Sequence, residues 1–141
     1  MLFDPENRIV QLCAEGITSR DVSRRHTLIE KAWKEASNDT EKCLSAHYMG
    51  RIMAGASDRL NWDNQALDFA LNIPENTIAT FLPSLYLNIG KDYDELGLRL
   101  KACEYYQIAY TKALILDNDP YGKKIKSSII KAMETLLNNE Q

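Results

Sequence analysis

The chain has 141 residues, with 17 basic against 20 acidic side chains, a net charge of -3 and 45% hydrophobic residues. That size and apolar content suit one domain whose core needs no cofactor or metal, and the mild acidity argues against nucleic acid as a partner. No apolar run approaches the roughly 18 to 20 residues of a membrane span, and Met1-Leu2-Phe3-Asp4-Pro5-Glu6 has no basic region leading into an apolar stretch, so no membrane contact and a cytoplasmic location are expected.

Apolar residues recur at helical spacing throughout, with no run alternating every second residue, which predicts an all-α protein of about seven helices. Ile9, Leu12 and Cys13 predict a first helix from Pro5 to Glu15, with Gly16 as its stop. The second runs from Ser19 to Ala36 around Val22, Leu28, Ile29, Ala32 and Trp33. Ser37-Asn38-Asp39-Thr40 breaks it and caps a third, Thr40 to Ala54, which is apolar on more than one face. The Gly55-Ala56-Ser57-Asp58 turn leads to a fourth through Trp62, Ala66, Leu67, Ala70 and Leu71, ended by Pro74 because proline removes a backbone donor.

A fifth helix is expected from Glu75 to Leu96, where Pro83 must either kink it or mark its true first turn. Gly97 separates it from a sixth, Leu98 to Leu116, with a stripe of Ala102, Tyr105, Tyr106, Ala109, Ala113 and Leu116. Asp117-Asn118-Asp119-Pro120 is a strong turn signal. The last helix, Tyr121 to Leu137, has Ile125, Ile129, Ile130, Ala132, Met133, Leu136 and Leu137 as its inner face and Lys123, Lys124, Lys126 and Lys131 mostly outside; Asn138 to Gln141 should fray. Cys13, Cys43 and Cys103 are odd in number and widely spaced. They read as small core residues of a reducing compartment, not as a disulfide framework or a zinc site.

Short loops between helices suggest hairpins, and the hairpins repeat. Tyr86-x-x-Ile89-Gly90-x-x-Tyr93, then Ala102-x-x-x-Tyr106-x-x-Ala109, resembles the tetratricopeptide-repeat signature of an aromatic, Leu-Gly and Tyr on one helix and Ala, Phe and Ala on the next. Two helices pack closely where small residues sit at their crossing: Gly90, Ala102 and Ala109 are the small ones, while Tyr86, Tyr93 and Tyr106 fill the surrounding space. The terminal proline of that family is replaced by Leu114. A second unit reads Ala46-x-x-Met49-Gly50-x-x-Met53 then Leu67-x-x-Ala70, and a fainter first one Ile9-x-x-Leu12-Cys13-x-x-Gly16 then Ile29-x-x-Ala32. The units fall at about 5-36, 40-74 and 76-116, with 121-137 as capping helix. The resemblance thus implies a right-handed superhelix of antiparallel helix pairs, a TPR-like α-solenoid.

Signatures for phosphate loops, dinucleotide binding, zinc proteases and nucleophile elbows are missing, and neither His26 nor His47 has partners at metal or triad spacing, so no enzyme activity and no cofactor are expected. In tetratricopeptide proteins the first helix of each pair lines a concave groove that grips a peptide. The resemblance places His47, Tyr48 and Arg51 of the second unit and Leu87, Asn88 and Lys91 of the third on that groove, with Lys123 or Ser127 on the last helix as its other side. Amide and cationic donors of this kind suit a carboxylate, which implies a protein or peptide partner, one with acidic groups among them. Against this stand ordinary solvated charges at Arg51, Lys91 and Lys123 and an Asn88 bonded along its own helix. Trp33 and Trp62 read as inter-helix packing. Two further expectations are a homodimer through the Ile9 to Leu12 helix or the lysine-rich last helix, and, as the alternative function, a helical regulatory sensor that binds a signalling peptide or small ligand in an apolar groove, which a closed apolar cavity around Tyr48, Met49 and Tyr86 would favour.

Overall fold

The structure, a computed structural model, describes residues 2–139 and is all-helical, with eight helices and no strand among those residues. They are α1 (Arg8–Thr18), α2 (Val22–Glu35), α3 (Asp39–Arg51), α4 (Ala56–Ala70), α5 (Glu75–Ile78), α6 (Leu82–Glu95), α7 (Arg99–Ala113) and α8 (Pro120–Asn138). None of them is long and apolar enough to cross a membrane. Internal contacts gather into two compact units, Met1–Thr77 and Ile78–Gln141.

In the first unit α1 packs on α2 and α3 on α4, while α3 also meets α1 and α2. Short polar side chains start these helices. Asn7 Oδ1 accepts from the amides of Ile9 (2.8 Å) and Val10 (3.1 Å), Asp21 from that of Arg24 (3.2 Å) and Asn38 from that of Glu41 (2.8 Å), each satisfying donors that a helix start leaves open. Glu41 then accepts from the Asn7 side-chain amide at 2.9 Å and from the Ser37 amide at 3.0 Å, so one carboxylate ties the start of α1 to the start of α3. These hydrogen bonds, the one from Asn7 foremost, hold its pKa below the ordinary value.

Gly16 does not end α1, which continues to Thr18 with Ser19 as its cap. A Cβ there would lie 2.8 Å from Ile29 Cγ1, so the glycine is a point of close approach between α1 and α2. The Gly55 to Asp58 segment is likewise less of a turn than its composition suggests: Gly55 is the cap and α4 already begins at Ala56. Cys13 and Cys43 are buried, and burial pushes both thiols up to about 12, which keeps them protonated and inert. Trp33 of α2 meets Trp62 of α4 edge to face, with ring centroids 5.0 Å apart.

In the second unit α6 packs on α7, and α8 lies against both. Pro83 is settled as part of a first turn. It falls next to the start of α6, where a missing N–H costs nothing, and the preceding residues form the separate one-turn helix α5. Gly97 ends α6 and turns the chain into α7 with φ +78°, a left-handed conformation that favours glycine. Asp119 Oδ1 accepts from the Gly122 amide at 2.8 Å to start α8, and Lys126 Nζ donates to the carbonyl of Leu116, in the connection between α7 and α8, at 2.9 Å. The core joins Leu87, Ala102, Tyr106, Ala109, Ala113, Leu116, Ile129 and Leu136, with half-buried Cys103 packed against it. Ile130 and Leu137, expected on the inner face of α8, are exposed. The helix continues through Asn138; Glu140 and Gln141, where fraying is expected, lie outside the described residues.

Candidate functional site

The expected groove residues of the first unit, His47, Tyr48 and Arg51, lie on α3, where side chains four apart share a face. That face is not free for a ligand. Arg51 Nη2 donates to both oxygens of Asp63 on α4, at 2.7 and 2.6 Å, and Asp63 is only 1% exposed. Gly50 makes room for this ion pair, since a Cβ there would sit 2.6 Å from Asp63 Oδ1. Arg51 is therefore neither a solvated charge nor a spare cation: it neutralises a buried carboxylate and locks α3 to α4.

His47 is drawn into the same cluster. Burial, with help from the Arg51 charge and against the pull of Asp63, pushes its imidazole down to about 4, so it is neutral at pH 7 and offers no cation to an acidic partner. The consequence for stability has a definite sign. Unfolded, the imidazole titrates near 6.5, so between 6.5 and 4 the unfolded chain takes up the proton first and stability falls as pH drops. Urea unfolding at pH 7.5 and pH 5 should therefore differ by about 2 kcal/mol from this group. His47→Gln should flatten the difference by that amount. Tyr48 is half-buried, its ring 4.8 Å from that of His47, and burial also raises its pKa.

In the second unit the residues assigned to hairpin packing come together. A Cβ on Gly90 would lie 2.5 Å from Tyr106 Cδ1, Ala102 and Ala109 are fully buried, and Tyr105 stacks obliquely on Tyr86 (6.1 Å) and Tyr93 (5.4 Å). Tyr106 is 1% exposed and donates its hydroxyl to Asp94 Oδ2 at 3.0 Å; burial, then the Asp94 charge, raises its pKa. In the first unit Gly50 and Ala70 are buried as well.

The expected groove residues of this unit divide. Leu87 is buried in the core, which leaves almost none of it for a ligand, whereas Asn88 is half-buried and Lys91, one turn on, is exposed. Lys91 lines a cleft of about 430 Å³ with Asp94, Tyr106, Ser128, Lys131, Ala132 and Thr135, bringing α6, α7 and α8 together. Lys123 and Ser127 line an adjoining, more open depression with Lys126, Ile130, Glu134 and Lys131, the last of which it shares with the Lys91 cleft. A further cavity, of about 340 Å³, lies in the first unit between the starts of α1 and α3, lined by Phe3, Asn7, Val10, Glu41, Leu44 and Pro74 among others.

The chain matches no family model, no curated protein and no solved structure. Chemistry must therefore be read from the side chains themselves. Among the described residues no group of three or more His, Cys, Asp or Glu is placed to hold a metal ion. Sequence reasoning missed Asp63, Ser128, Lys131 and Asp94. A signal existed for the first: Asp63, Ala66, Leu67 and Ala70 share one apolar stripe, and an acid on such a stripe needs a buried cation.

Proposed function

We propose that this chain is a tetratricopeptide-type α-solenoid, with α8 as its capping helix, that binds a peptide or protein segment and carries out no catalysis. The observation that carries the reading is the α6–α7 hairpin, where Gly90 admits the Tyr106 ring between Ala102 and Ala109. The α3–α4 hairpin supports it with a second crossing at a glycine, Gly50 against Asp63. A glycine at the crossing lets the two helices of a hairpin approach closely, which is the packing that a hairpin-repeat reading calls for.

The charges left for a partner follow from those already engaged. Arg51 and His47 belong to the buried cluster around Asp63, so recognition falls chiefly on Asn88, Lys91 and Lys123. Capture of partners from a lysate of the native host on the immobilised full chain, followed by mass spectrometry, tests this. A specific protein should be retained, and Asn88→Ala, Lys91→Ala and Lys123→Ala together should reduce its recovery about tenfold. Unchanged recovery with the triple variant removes the groove assignment; capture of nothing above background removes the binding reading.

A further inference from the structure

We infer that the outer face of α7 is a self-association surface, on which a second copy of this chain packs its own α7 antiparallel, across a two-fold axis at Gln107. The contact is independent of the binding role just proposed.

The inner side of α7 is committed, with Ala102, Tyr106, Ala109 and Ala113 in the core against α6 and α8. The opposite side is exposed, yet it is not the uniformly polar face that a surface helix usually turns to water. Leu100 is 90% exposed and Leu114 62%, and of the eleven large hydrophobic side chains exposed among the described residues five fall between Leu98 and Ile115. Single exposed leucines are ordinary, whereas several along one helix mark a contact surface. The other candidate helices offer a second copy less. On α1, Ile9 and Leu12 are buried, and an α8 contact would set four lysines against the same four of the other copy.

The order of side chains along α7 selects the occupant. Leu100, Glu104, Gln107, Tyr110 and Leu114 are all exposed and stand 4, 3, 3 and 4 residues apart, a spacing that reads the same in both directions. A two-fold contact requires a surface complementary to itself, and this one is. With two such helices antiparallel about Gln107, Leu100 of each copy meets Leu114 of the other at both ends of the seam. The Glu104 carboxylate then faces the Tyr110 hydroxyl of the other copy, a donor that no hydrogen bond engages among the described residues. On the axis Gln107 meets itself, which an amide tolerates because it both donates and accepts. Parallel helices would instead set Glu104 against Glu104 and Lys101 against Lys101, like charges at close quarters.

Sedimentation equilibrium of the full chain tests the contact. A reversible dimer, with twice the 16.1 kDa of one chain, should form in the micromolar range. Leu100→Lys and Leu114→Glu, on exposed side chains whose replacement leaves the circular dichroism spectrum unchanged, should each weaken it roughly tenfold or more. Mixed in equal amounts, these two variants should pair with each other, since antiparallel seating keeps one leucine pair whole and sets the introduced lysine against the introduced glutamate at the other end. Gln107→Glu should also dissociate the dimer at pH 7.5, because a carboxylate on the axis meets its own copy. A chain that is monomeric at every concentration overturns the inference, as does a dimer that neither Leu100→Lys nor Gln107→Glu weakens. Weakening by both single variants with no recovery on mixing overturns the antiparallel seating. A monomer that holds lipid vesicles or a captured host protein through Leu100 gives the face to that partner and overturns the second copy.

Discussion

Arg51→Met should lower the unfolding free energy by about 3 kcal/mol, read from urea titrations at pH 7.5. Asp63 is 1% exposed and Arg51 Nη2 is bonded to both its oxygens, so removing the guanidinium leaves a carboxylate buried with its main counter-charge gone. The cost is placed at the lower end for broken buried pairs because the Arg51 side chain is 27% exposed and water can follow it. The same geometry makes the reverse change milder. With Asp63→Ala, Arg51 can swing toward solvent, and a loss of about 1 to 2 kcal/mol is expected. Arg51→Met combined with Asp63→Leu replaces the pair by apolar volume and should recover most of the stability. A double-mutant cycle showing no coupling would contradict the assignment of Arg51 to the core.

Gly90→Val should cost about 3 kcal/mol and Gly90→Ala about 1, measured by thermal and urea unfolding. Even the first added carbon would sit 2.5 and 2.6 Å from two atoms of the Tyr106 ring. That ring cannot give way easily, being 1% exposed, packed with Ala102, Ala109 and Ile129 and anchored through its hydroxyl to Asp94. Alanine regains roughly 1 kcal/mol of helix propensity over glycine, which offsets part of its clash; valine regains less and adds two methyl groups. Trimming the obstacle with Tyr106→Leu should make Gly90→Ala nearly neutral in the double variant. A Gly90→Val chain as stable as the parent would mean that α6 and α7 do not approach each other this closely.

Helical periodicity was enough to find most of the helices, because the apolar spacing that defines a helix is the same spacing that buries it. Ambiguity gathered at glycine and proline. Gly16 and Gly97 both follow an apolar run, yet one is a contact with Ile29 inside α1 and the other a left-handed stop, and only the neighbouring helix tells them apart. Pro83 left two readings open, and the first turn of α6 prevailed because a short separate helix precedes it.

The site was less legible for a different reason. His47 and Arg51 carry the residue types of a clamp, but the carboxylate that claims them stands twelve residues beyond Arg51, on another helix. Periodicity reports which face is buried and not which charge lies opposite. Lys131 and Ser128 were overlooked on similar grounds: lysines on an amphipathic helix look like solvated charges until a second helix is seen to bring Lys91 into the same cleft.

Hydrogen exchange of the full chain, alone and with the partner recovered by capture, tests the binding role most directly. Slowed exchange on α6 and α8, around Asn88, Lys91, Ser128 and Lys131, with α2, α4 and the exposed side of α7 unchanged, is the result expected of a module that grips its partner with α6 and α8. Protection confined to α2 and α4, with α6 and α8 exchanging as in the free chain, would contradict it.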